Sequence, residues 1–515
     1  MVADPRQEPP PAAAELVPAL WLMHPDANAA GQGAVVLADT QPPAGQGRSR
    51  PADVVLLDLT EAGRTDGGRL ASLVERLADR LAPDGVAYLP AAPGAGPRIR
   101  RMLGRHRLMV AEVRLPLHIW NGSLALVPVA QAPVRYALAG LMPKPSARAR
   151  LAALVGRQIG GPRWLSRLMP AVGLVVRRPG ARPLFDWLNQ QQVMDGPVGP
   201  VILKTSGSRA DGPTMLYCFL QGQASPSAVV KVGAAGHDLE PEQRHLTELG
   251  PQASRDGAAV PRPLGGAARL GDRQVLIQTA VEGQVAAALL ISEPQRLPAV
   301  LERLLTWLER WNQATRVMQV LTGDRLRDDL LAPAARLLPQ LDGGQGYAAW
   351  LAGQCAALAG RSIPWVAVHN DLTLWNVLID GRAGLGVVDW ESACAAGWPL
   401  TDLFYAVVDG VVATRGYRDR PAAFQACFSG AGWLASLMAN WQQRLCQSLE
   451  ITPDVAQLCW HACWLRHAAN EERAAAAGAA RPFLQIVQLL ARQPRFLAST
   501  DEAAELARPV VAHLP

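Results

Sequence analysis

Residues 366–391 constrain the fold and function of this 515-residue chain more than any other stretch. Their sequence is V-A-V-H-N-D-L-T-L-W-N-V-L-I-D-G-R-A-G-L-G-V-V-D-W-E. Two short apolar runs surround the glycine-rich turn Asp380–Gly384, and this pattern predicts a β-hairpin. The hairpin would bring Asn376 and Asp389, at the ends of the two runs remote from the turn, back to one place.

The side chains at these positions suit a magnesium nucleotide. Mg²⁺ prefers oxygen ligands and takes one or two carboxylates together with substrate phosphates. Asp389 and the amide oxygen of Asn376 can supply the protein's share. Asp371 precedes Asn376 in the same loop and would orient or deprotonate an attacking hydroxyl, while His369 supports the loop. This order of residues is that of the catalytic loop and metal ligands of kinases.

The motifs H-N-D-L-T-L-W-N, V-V-D-W-E and P-L-T-D-L-F resemble those of the aminoglycoside phosphotransferase and choline kinase superfamily. The resemblance covers residues 195–490 and implies a small-molecule kinase with a protein-kinase-like fold that uses ATP and Mg²⁺. Asn370 stands where the family more often has glycine. Trp-Glu follows Asp389 where protein kinases have Phe-Gly, which argues against a protein kinase. Asp402, in the last motif, matches a family aspartate that holds the catalytic loop.

Lys231 is the candidate for the lysine that kinases keep on a strand to pair with the nucleotide phosphates. It ends the apolar run of V-V-K-V, and such an inward charge needs an acidic partner on the next helix. Glu242 is the best-placed partner, and Glu240 and Glu248 are its rivals. Lys204 competes with Lys231, but we expect it to be a solvated lysine on an edge strand.

Ser206 and Ser208 lie in the loop between the first two strands of this region and could contact the nucleotide phosphates. A plain hairpin turn explains this loop equally well. Predicted strands here are Val201–Thr205, Thr214–Leu220 and Ala228–Val232, and predicted helices before the catalytic loop are Leu297–Val320 and Tyr347–Ala359.

Residues 1–140 alternate predicted strands with predicted helices, which favours an α/β layer. The strands are expected at Ala52–Leu59, Gly85–Leu89, Leu108–Val113 and Leu124–Val129, and the helices at Arg69–Leu81 and Pro97–Leu103. The sequence L-A-P-D-G-V at Leu81–Val86 resembles the latter half of class I methyltransferase domains. That family needs a glycine-rich turn after its first strand, and residues 26–33 do not provide a convincing one. We therefore expect a degenerate domain that does not bind S-adenosylmethionine.

The segment Val113–Phe185 contains eleven basic residues and no acidic one. Apolar side chains lie between the arginines, and this mixture suits the surface of an anionic membrane. The alternative is a solvated connector that packs on a neighbouring domain. Nucleic acid is not expected as a partner, because no recognised binding module accompanies the charge.

Neither an apolar run of about 18 residues nor a secretion signal is evident, so the expected location is the cytoplasm, with peripheral contact at the inner face of the membrane. The seven cysteines are scattered, which fits reduced thiols. Cys459, His461, Cys463 and His467 could suggest a metal cluster. On a helix, however, Cys459 and Cys463 share a face that His461 does not, so we favour small cysteines in an apolar core.

These patterns predict a degenerate α/β domain at 1–140, a basic connector at 141–194, and an α+β two-lobed kinase-like fold with an N-lobe at 195–283 and a helical C-lobe at 284–500. The predicted function is ATP-dependent phosphoryl transfer to a hydroxyl of a small molecule, such as a sugar or an intermediate of a glycan pathway. A pseudokinase scaffold and a bifunctional methyltransferase–kinase are the alternatives. A hairpin whose polar residues serve only its turns is less favoured, because turns do not explain two carboxylates and an amide at these separations.

Overall fold

The computed structural model describes residues 35–37, 52–57, 59, 67–92, 95–119, 123–141, 172–180, 183–192, 194–205, 212–234, 236–266, 268–270, 273–381, 384–428, 432–474 and 480–495. The chain divides into two units. The first unit comprises Met1–Gln243 and Arg262–Ala280, and the second comprises Arg244–Pro261 and Val281–Pro515.

The described residues of the first unit form one sheet of eleven strands. These strands are β1 Val35–Leu37, β2 Ala52–Leu57, β3 Leu81–Ala91, β4 Met109–His118, β5 Leu124–Pro128, β6 Val172–Arg177, β7 Val198–Lys204, β8 Thr214–Leu220, β9 Ala228–Val232, β11 Ala268–Leu270 and β12 Arg273–Thr279, with β10 Ala258–Ala259 in the second unit. Their order across the sheet is β1-β2-β3-β6-β4-β5-β7-β8-β9-β12-β11. The first three strands are parallel, and every later pair of neighbours is antiparallel.

Helices pack on both faces of this sheet. They are α1 Gly67–Arg80, α2 Gly96–Arg105, α3 Gln131–Tyr136, α4 Pro183–Gln190 and α5 Glu240–Glu248, the last of which continues into the second unit. The buried leucines and valine of α1 recur at the helical spacing that produces one apolar stripe. They share a core with Ala87 and Leu89 of β3, whereas Leu184 and Leu188 of α4 share a second core with Val86 of the same strand. Because alternate residues of a strand point to opposite faces, the two cores lie on the two sides of the sheet.

The strands and helices predicted within residues 1–140 are confirmed, with shifted ends. One strand was not anticipated, because β6 falls inside the stretch predicted to be a basic connector. It lies between β3 and β4 and pairs with both, and its first five residues are buried. The candidate region for a glycine-rich turn, residues 26–33, lies outside the described residues. Residues 142–171, which contain about half of the basic side chains of Val113–Phe185, also lie outside them.

Arg114 departs from the expectation of a charged surface on Val113–Phe185. Its side chain is buried, with 1% of the residue exposed, and it forms an ion pair with Glu112 at 2.6 Å. The acidic partner is the residue just before the acid-free segment begins. Arg114 is therefore unavailable to a membrane surface.

The sheet continues from the N-terminal strands into β7–β9 without a break. Ala125 and Leu126 of β5 pair with Lys204 and Leu203 of β7. The prediction of an edge strand at Lys204 is therefore wrong, because β7 has a neighbour on each side. Pairing partners about 80 residues apart leave no local signal in the sequence.

The second unit is mainly helical. Its helices are α6 Gly250–Arg255, α7 Ala286–Ser292, α8 Leu297–Thr315, α9 Gly323–Leu326, α10 Ala332–Leu337, α11 Gly344–Leu358, α12 Thr401–Thr414, α13 Arg420–Phe428, α14 Trp433–Leu449, α15 Pro453–Ala474 and α16 Pro482–Arg492. Its strands, besides β10, are β13 Gln284–Val285, β14 Val317–Val320, β15 Ser362–Val368, β16 Val377–Ile379, β17 Leu385–Val387 and β18 Cys394–Gly397. They form two small sheets, in the orders β10-β17-β16-β13 and β14-β15-β18.

The second unit confirms one local prediction and corrects another. The hairpin is present, since Val377 pairs with Val387 and Ile379 with Leu385. The helix predicted to reach Val320 instead ends at Thr315, and the following residues form β14 against β15. The helical spacing of this stretch is overridden by β-branched side chains and by a strand partner that only the tertiary fold supplies.

Among the described residues, no single helix is long and apolar enough to cross a membrane, and the pair α13 and α14, bent by 66°, satisfies the length and composition test only jointly.

Candidate active site

The loop His369–Asn376 follows β15 directly, and Asp402 holds its beginning. Asp402 lies in the first turn of α12 and is 3% exposed. Its Oδ2 accepts the backbone N–H of His369 at 2.6 Å, and its Oδ1 accepts that of Asn370 at 2.8 Å. Because both carboxylate oxygens accept hydrogen bonds from the loop backbone, Asp402 fixes the conformation of the start of the loop.

Asn370 occupies the left-handed region of backbone space, with φ at 66°. Glycine adopts this conformation without strain, and asparagine is among the few other residues that adopt it readily. The Asn370 side chain also donates to the backbone oxygen of Ser392 at 3.0 Å. The departure from the family's glycine is therefore compatible with the same loop conformation.

Asp409 is a second anchor of the loop, which the sequence reasoning missed. It is fully buried on α12, two helical turns after Asp402 and on the same side of the helix. Its carboxylate accepts the backbone N–H of Leu374 at 2.8 Å, the hydroxyl of Tyr417 at 2.9 Å and the guanidinium of Arg420 at 2.8 Å. An aspartate seven residues from Asp402 in an otherwise apolar helix was the signal that could have revealed it.

The hairpin places Asn376 beside the end of the strand that leads to Asp389. The backbone oxygen of Asn376 accepts the N–H of Val388 at 2.9 Å. The Asn376 Nδ2 donates to the backbone oxygen of Asp371 at 2.9 Å and to its Oδ2 at 3.2 Å. The amide nitrogen thus faces Asp371, and the amide oxygen is the atom left to face a ligand.

Asp371 lies in a strongly negative environment. Burial and then the nearby carboxylates of Asp389, Asp409 and Glu391 raise the pKa of Asp371 to about 8, while the hydrogen bond from Asn376 lowers it. A group of neighbouring carboxylates favours binding of a positive charge. Asp409 already has Arg420 as its cationic partner.

His369 is fully buried and contacts the strand end that precedes Asp389. Its Nε2 lies 3.1 Å from the backbone oxygen of Val388, so this nitrogen carries the proton and donates it. Burial lowers the pKa of His369, which favours the neutral ring. His369 therefore links the catalytic loop to the hairpin and is a positioning residue.

In the first unit, Lys231 lies on β9 and pairs with Glu242. The Lys231 Nζ is 2.7 Å from the Glu242 Oε2, and both residues are almost completely buried. The rival residues Glu240 and Glu248 are exposed. A buried lysine with a buried glutamate on the next helix is the arrangement expected for a phosphate-binding kinase lysine.

Comparison with known families places this geometry in context. Residues 217–437 match the sequence model of the phosphotransferase enzyme family. The matched segment includes Lys231, the catalytic loop and the hairpin. The chain contains a phosphotransferase-family domain. No curated protein matches the chain.

Several solved structures are similar at low sequence identity. The aminoglycoside phosphotransferase APH(3'')-Id from Streptomyces rimosus is 15% identical with a TM-score of 0.31, and the match covers 48% of this chain and 88% of that chain. The macrolide 2'-phosphotransferase MphH from Brachybacterium faecium is 15% identical with a TM-score of 0.36, over 60% and 97% of the two chains. A thermostable mutant of APH(4)-Ia, in complex with ADP and hygromycin B, is 14% identical with a TM-score of 0.39, over 60% and 98%. The family assignment rests on the sequence match.

The phosphotransferase domain contains a donor set that fits Mg²⁺. The Asn376 amide oxygen and the Asp389 carboxylate are hard oxygen donors at adjacent ends of one hairpin. Glu391 adds a further carboxylate close to Asp389, which favours a cation at this place. These residues therefore suit the metal on which a kinase depends.

Two other sequence predictions concern residues outside the matched segment 217–437. Ser206 and Ser208 precede the matched segment and lie outside the described residues, so their contact with phosphates stays a prediction. Cys459, Cys463 and His461 are buried in α15, and the His461 Nδ1 lies 2.9 Å from the Tyr347 hydroxyl. These side chains belong to the helical core, as the sequence favoured.

Proposed function

We propose that this chain is an ATP-dependent phosphotransferase that transfers the γ-phosphoryl group to a hydroxyl of a small molecule. The observation that carries the proposal is the placement of Asp371, Asn376 and Asp389 on one loop and one hairpin within a phosphotransferase-family domain. Positioning and charge neutralisation are sufficient for this reaction, and no covalent enzyme intermediate is needed.

Asp371 is the residue that acts on the acceptor in this proposal. The acceptor oxygen forms a bond to the γ-phosphorus while the bond from that phosphorus to the bridging oxygen of ADP breaks. The hydroxyl proton passes to the carboxylate of Asp371. The hydrogen bond from Asn376 to the Asp371 Oδ2 at 3.2 Å keeps this carboxylate oriented.

Asn376 and Asp389 would hold Mg²⁺, which supplies charge neutralisation and orientation for the transferred phosphoryl group. Asp402 and Asp409 fix the loop at both ends, through the backbone of residues 369, 370 and 374. Lys231 would pair with the nucleotide phosphates, and Glu242 orients its side chain. The helix and strand anchors therefore preorganise the charged groups before substrate binds.

For the acceptor we propose a sugar or an intermediate of a glycan pathway. Trp375 lies within the loop, between Asp371 and Asn376, and is half-buried. Its ring packs on that of Tyr417 with centroids 5.5 Å apart. An aromatic surface beside the proposed base suits the apolar face of a sugar ring, with the ring hydroxyls directed at the base.

The proposed reaction assigns no residue of the N-terminal α/β region to the phosphoryl transfer. We propose that it is a degenerate methyltransferase-like domain that binds no S-adenosylmethionine, because residues 26–33 lack a convincing glycine-rich turn. A cytoplasmic location and contact of the basic segment with an anionic membrane remain predictions, and the membrane contact excludes Arg114.

A screen of acceptors against ATP consumption tests the proposed function. The panel would contain sugars, nucleotide sugars, aminoglycosides and macrolides, and the proteins would be the wild type, Asp371→Asn and the exposed control Asp328→Asn. We expect acceptor-dependent ADP release that Asp371→Asn lowers by orders of magnitude and Asp328→Asn leaves unchanged. Equal turnover by Asp371→Asn with a proven acceptor would refute the role of this carboxylate.

A further inference from the structure

A pocket of about 710 Å³ lies in the first unit, and none of the proposed active-site residues lines it. This volume falls within the range of about 300–1,000 Å³ that is usual for small-molecule sites. The walls come from β3, β4, β5, β6, α2 and α4, together with the start of β7 at 198–200. The pocket therefore rests on the N-terminal part of the eleven-stranded sheet.

Three of the four charged residues that line this pocket share one face of the sheet, and the fourth, Arg100, comes from α2. Glu112 of β4 is opposite Val175 of β6, and Val86 of β3 is opposite Arg177 of β6. Residues that are directly opposite each other on neighbouring strands share a face, as do residues two apart on one strand. Glu112, Arg114 and Arg177 consequently project on the same side of the sheet.

Arg114 gives the pocket a buried guanidinium group that is paired with Glu112 and keeps one donor without an acceptor among the described residues. Its Nη1 donates to the backbone oxygens of Leu126 at 3.1 Å and Val201 at 2.9 Å, and its Nη2 is paired with Glu112. Within the described part of the chain, the buried Arg114 Nε has no hydrogen-bond partner. A buried donor without an acceptor is unfavourable, so the environment of Arg114 favours an additional acceptor nearby.

The remaining lining combines positive charge with apolar surface. Arg100, Arg114 and Arg177 stand against the single carboxylate of Glu112, which leaves a formal excess of two positive charges (3 − 1 = 2). The other walls are largely aliphatic or aromatic, with Leu184 and Phe185 of α4 among them. A site of this kind recognises a ligand with an anionic group on an apolar body.

We propose that this pocket binds a small organic anion, a carboxylate or a phosphate monoester, whose anionic group contacts the guanidinium groups and whose apolar part packs against α4. Arginine suits both groups because its planar fork matches their paired oxygens. The site is distinct from the proposed phosphotransferase centre, and its ligand need not be a substrate of that centre.

Binding of three matched fluorescent probes to the full-length protein tests this proposal. They are 2-naphthoate, 2-naphthyl phosphate and the uncharged 2-naphthol, each titrated in the presence of saturating Mg²⁺-ATP to mask nucleotide sites. We expect saturable one-to-one binding of at least one anionic probe, about tenfold tighter than that of 2-naphthol. Comparison of the two anions shows whether a carboxylate or a phosphate is preferred.

Two pocket variants and one control assign the binding to this site. Arg177→Gln, and Arg100→Gln at an exposed position, should each lower the affinity for the anionic probe by about tenfold. The affinity for 2-naphthol should change little. Arg135→Gln, an exposed arginine of α3 outside the pocket, should bind all three probes as the wild type does. The proposal is overturned if no anionic probe saturates, if 2-naphthol binds equally well, or if neither pocket variant weakens the anion. If Arg177→Gln does not fold, Arg100→Gln alone decides.

Discussion

Asp409→Ala should destabilise the second unit more than an ordinary polar substitution. The Asp409 carboxylate has no solvent exposure and is the partner of Arg420, which is itself only 12% exposed in its side chain. Removing the carboxylate leaves the guanidinium buried without its counter-charge and leaves the backbone N–H of Leu374 without its acceptor. Breaking a buried ion pair in this way costs about 3–5 kcal/mol of unfolding free energy.

Two further variants separate the charge from the hydrogen bond. Asp409→Asn retains an oxygen for Leu374 but loses the charge, so we expect a smaller loss of about 1.5–3 kcal/mol. Asp409→Ala combined with Arg420→Met removes both charges, and methionine can keep part of the packing of Arg420 on Phe483, whose ring lies 4.8 Å from the guanidinium. We expect a coupling energy of about 1–3 kcal/mol between the two substitutions.

Urea unfolding followed by tryptophan fluorescence measures these free energies, and hydrogen exchange of a peptide containing Leu374 reports on the loop. Asp328→Ala serves as the control. Asp328 forms an ion pair with Arg327 at the surface, so its replacement should change the free energy of unfolding by less than about 1 kcal/mol. Faster exchange at Leu374 in Asp409→Ala would show that the loop has lost its anchor. A loss below about 1 kcal/mol for Asp409→Ala, or strictly additive effects of the two substitutions, would refute the reasoning.

The remaining predictions concern the two units separately. Asp371→Asn should leave ATP affinity within about threefold of the wild type while lowering turnover, as calorimetry and a coupled assay would show; a large loss of ATP affinity would contradict a role on the acceptor side. Lys231→Met should weaken ATP binding and lower stability by about 3–5 kcal/mol, and adding Glu242→Gln should restore stability without restoring ATP affinity. Asn370→Val should cost about 1–3 kcal/mol because φ is 66°, whereas Asn370→Gly should stay within about 1 kcal/mol; thermal unfolding that ranks them oppositely would argue against the strained loop.

The hairpin and the catalytic loop could be predicted because their signals are local. Two apolar runs around a glycine-rich turn define the pairing, and the fixed separations of Asp371, Asn376 and Asp389 follow from it. The partner of Lys231 could also be proposed, because an inward charge on a strand needs neutralisation. The sequence favoured Glu242 over Glu240 and Glu248, and the structure pairs Lys231 with Glu242 while its two rivals are exposed.

Features that depend on distant partners could not be predicted in the same way. β6 has an apolar core, but the arginines around it favoured the prediction of a surface segment. Its place between β3 and β4 depends on pairing with residues some 60 to 90 positions away in the chain. The contacts of Asp409 with Leu374 and Arg420 depend on how α12 packs against the loop, which residue spacing does not specify. The helical spacing of apolar residues likewise led to a helix prediction over β14. Its strand partner, β15, begins more than 40 residues later in the chain.

Mg²⁺-dependent nucleotide binding tests the central claim most directly. Calorimetric titration of ATP into the full-length wild type, with Mg²⁺ and again with EDTA, should show one-to-one binding that weakens when the metal is removed. Asp389→Ala should bind ATP in Mg²⁺ no better than the wild type does in EDTA, because the metal loses its carboxylate ligand, whereas Asp328→Ala should bind as the wild type does. ATP binding that is indifferent to both Mg²⁺ and Asp389, or no ATP binding at all, would contradict the assignment of this hairpin as the metal site of a phosphotransferase.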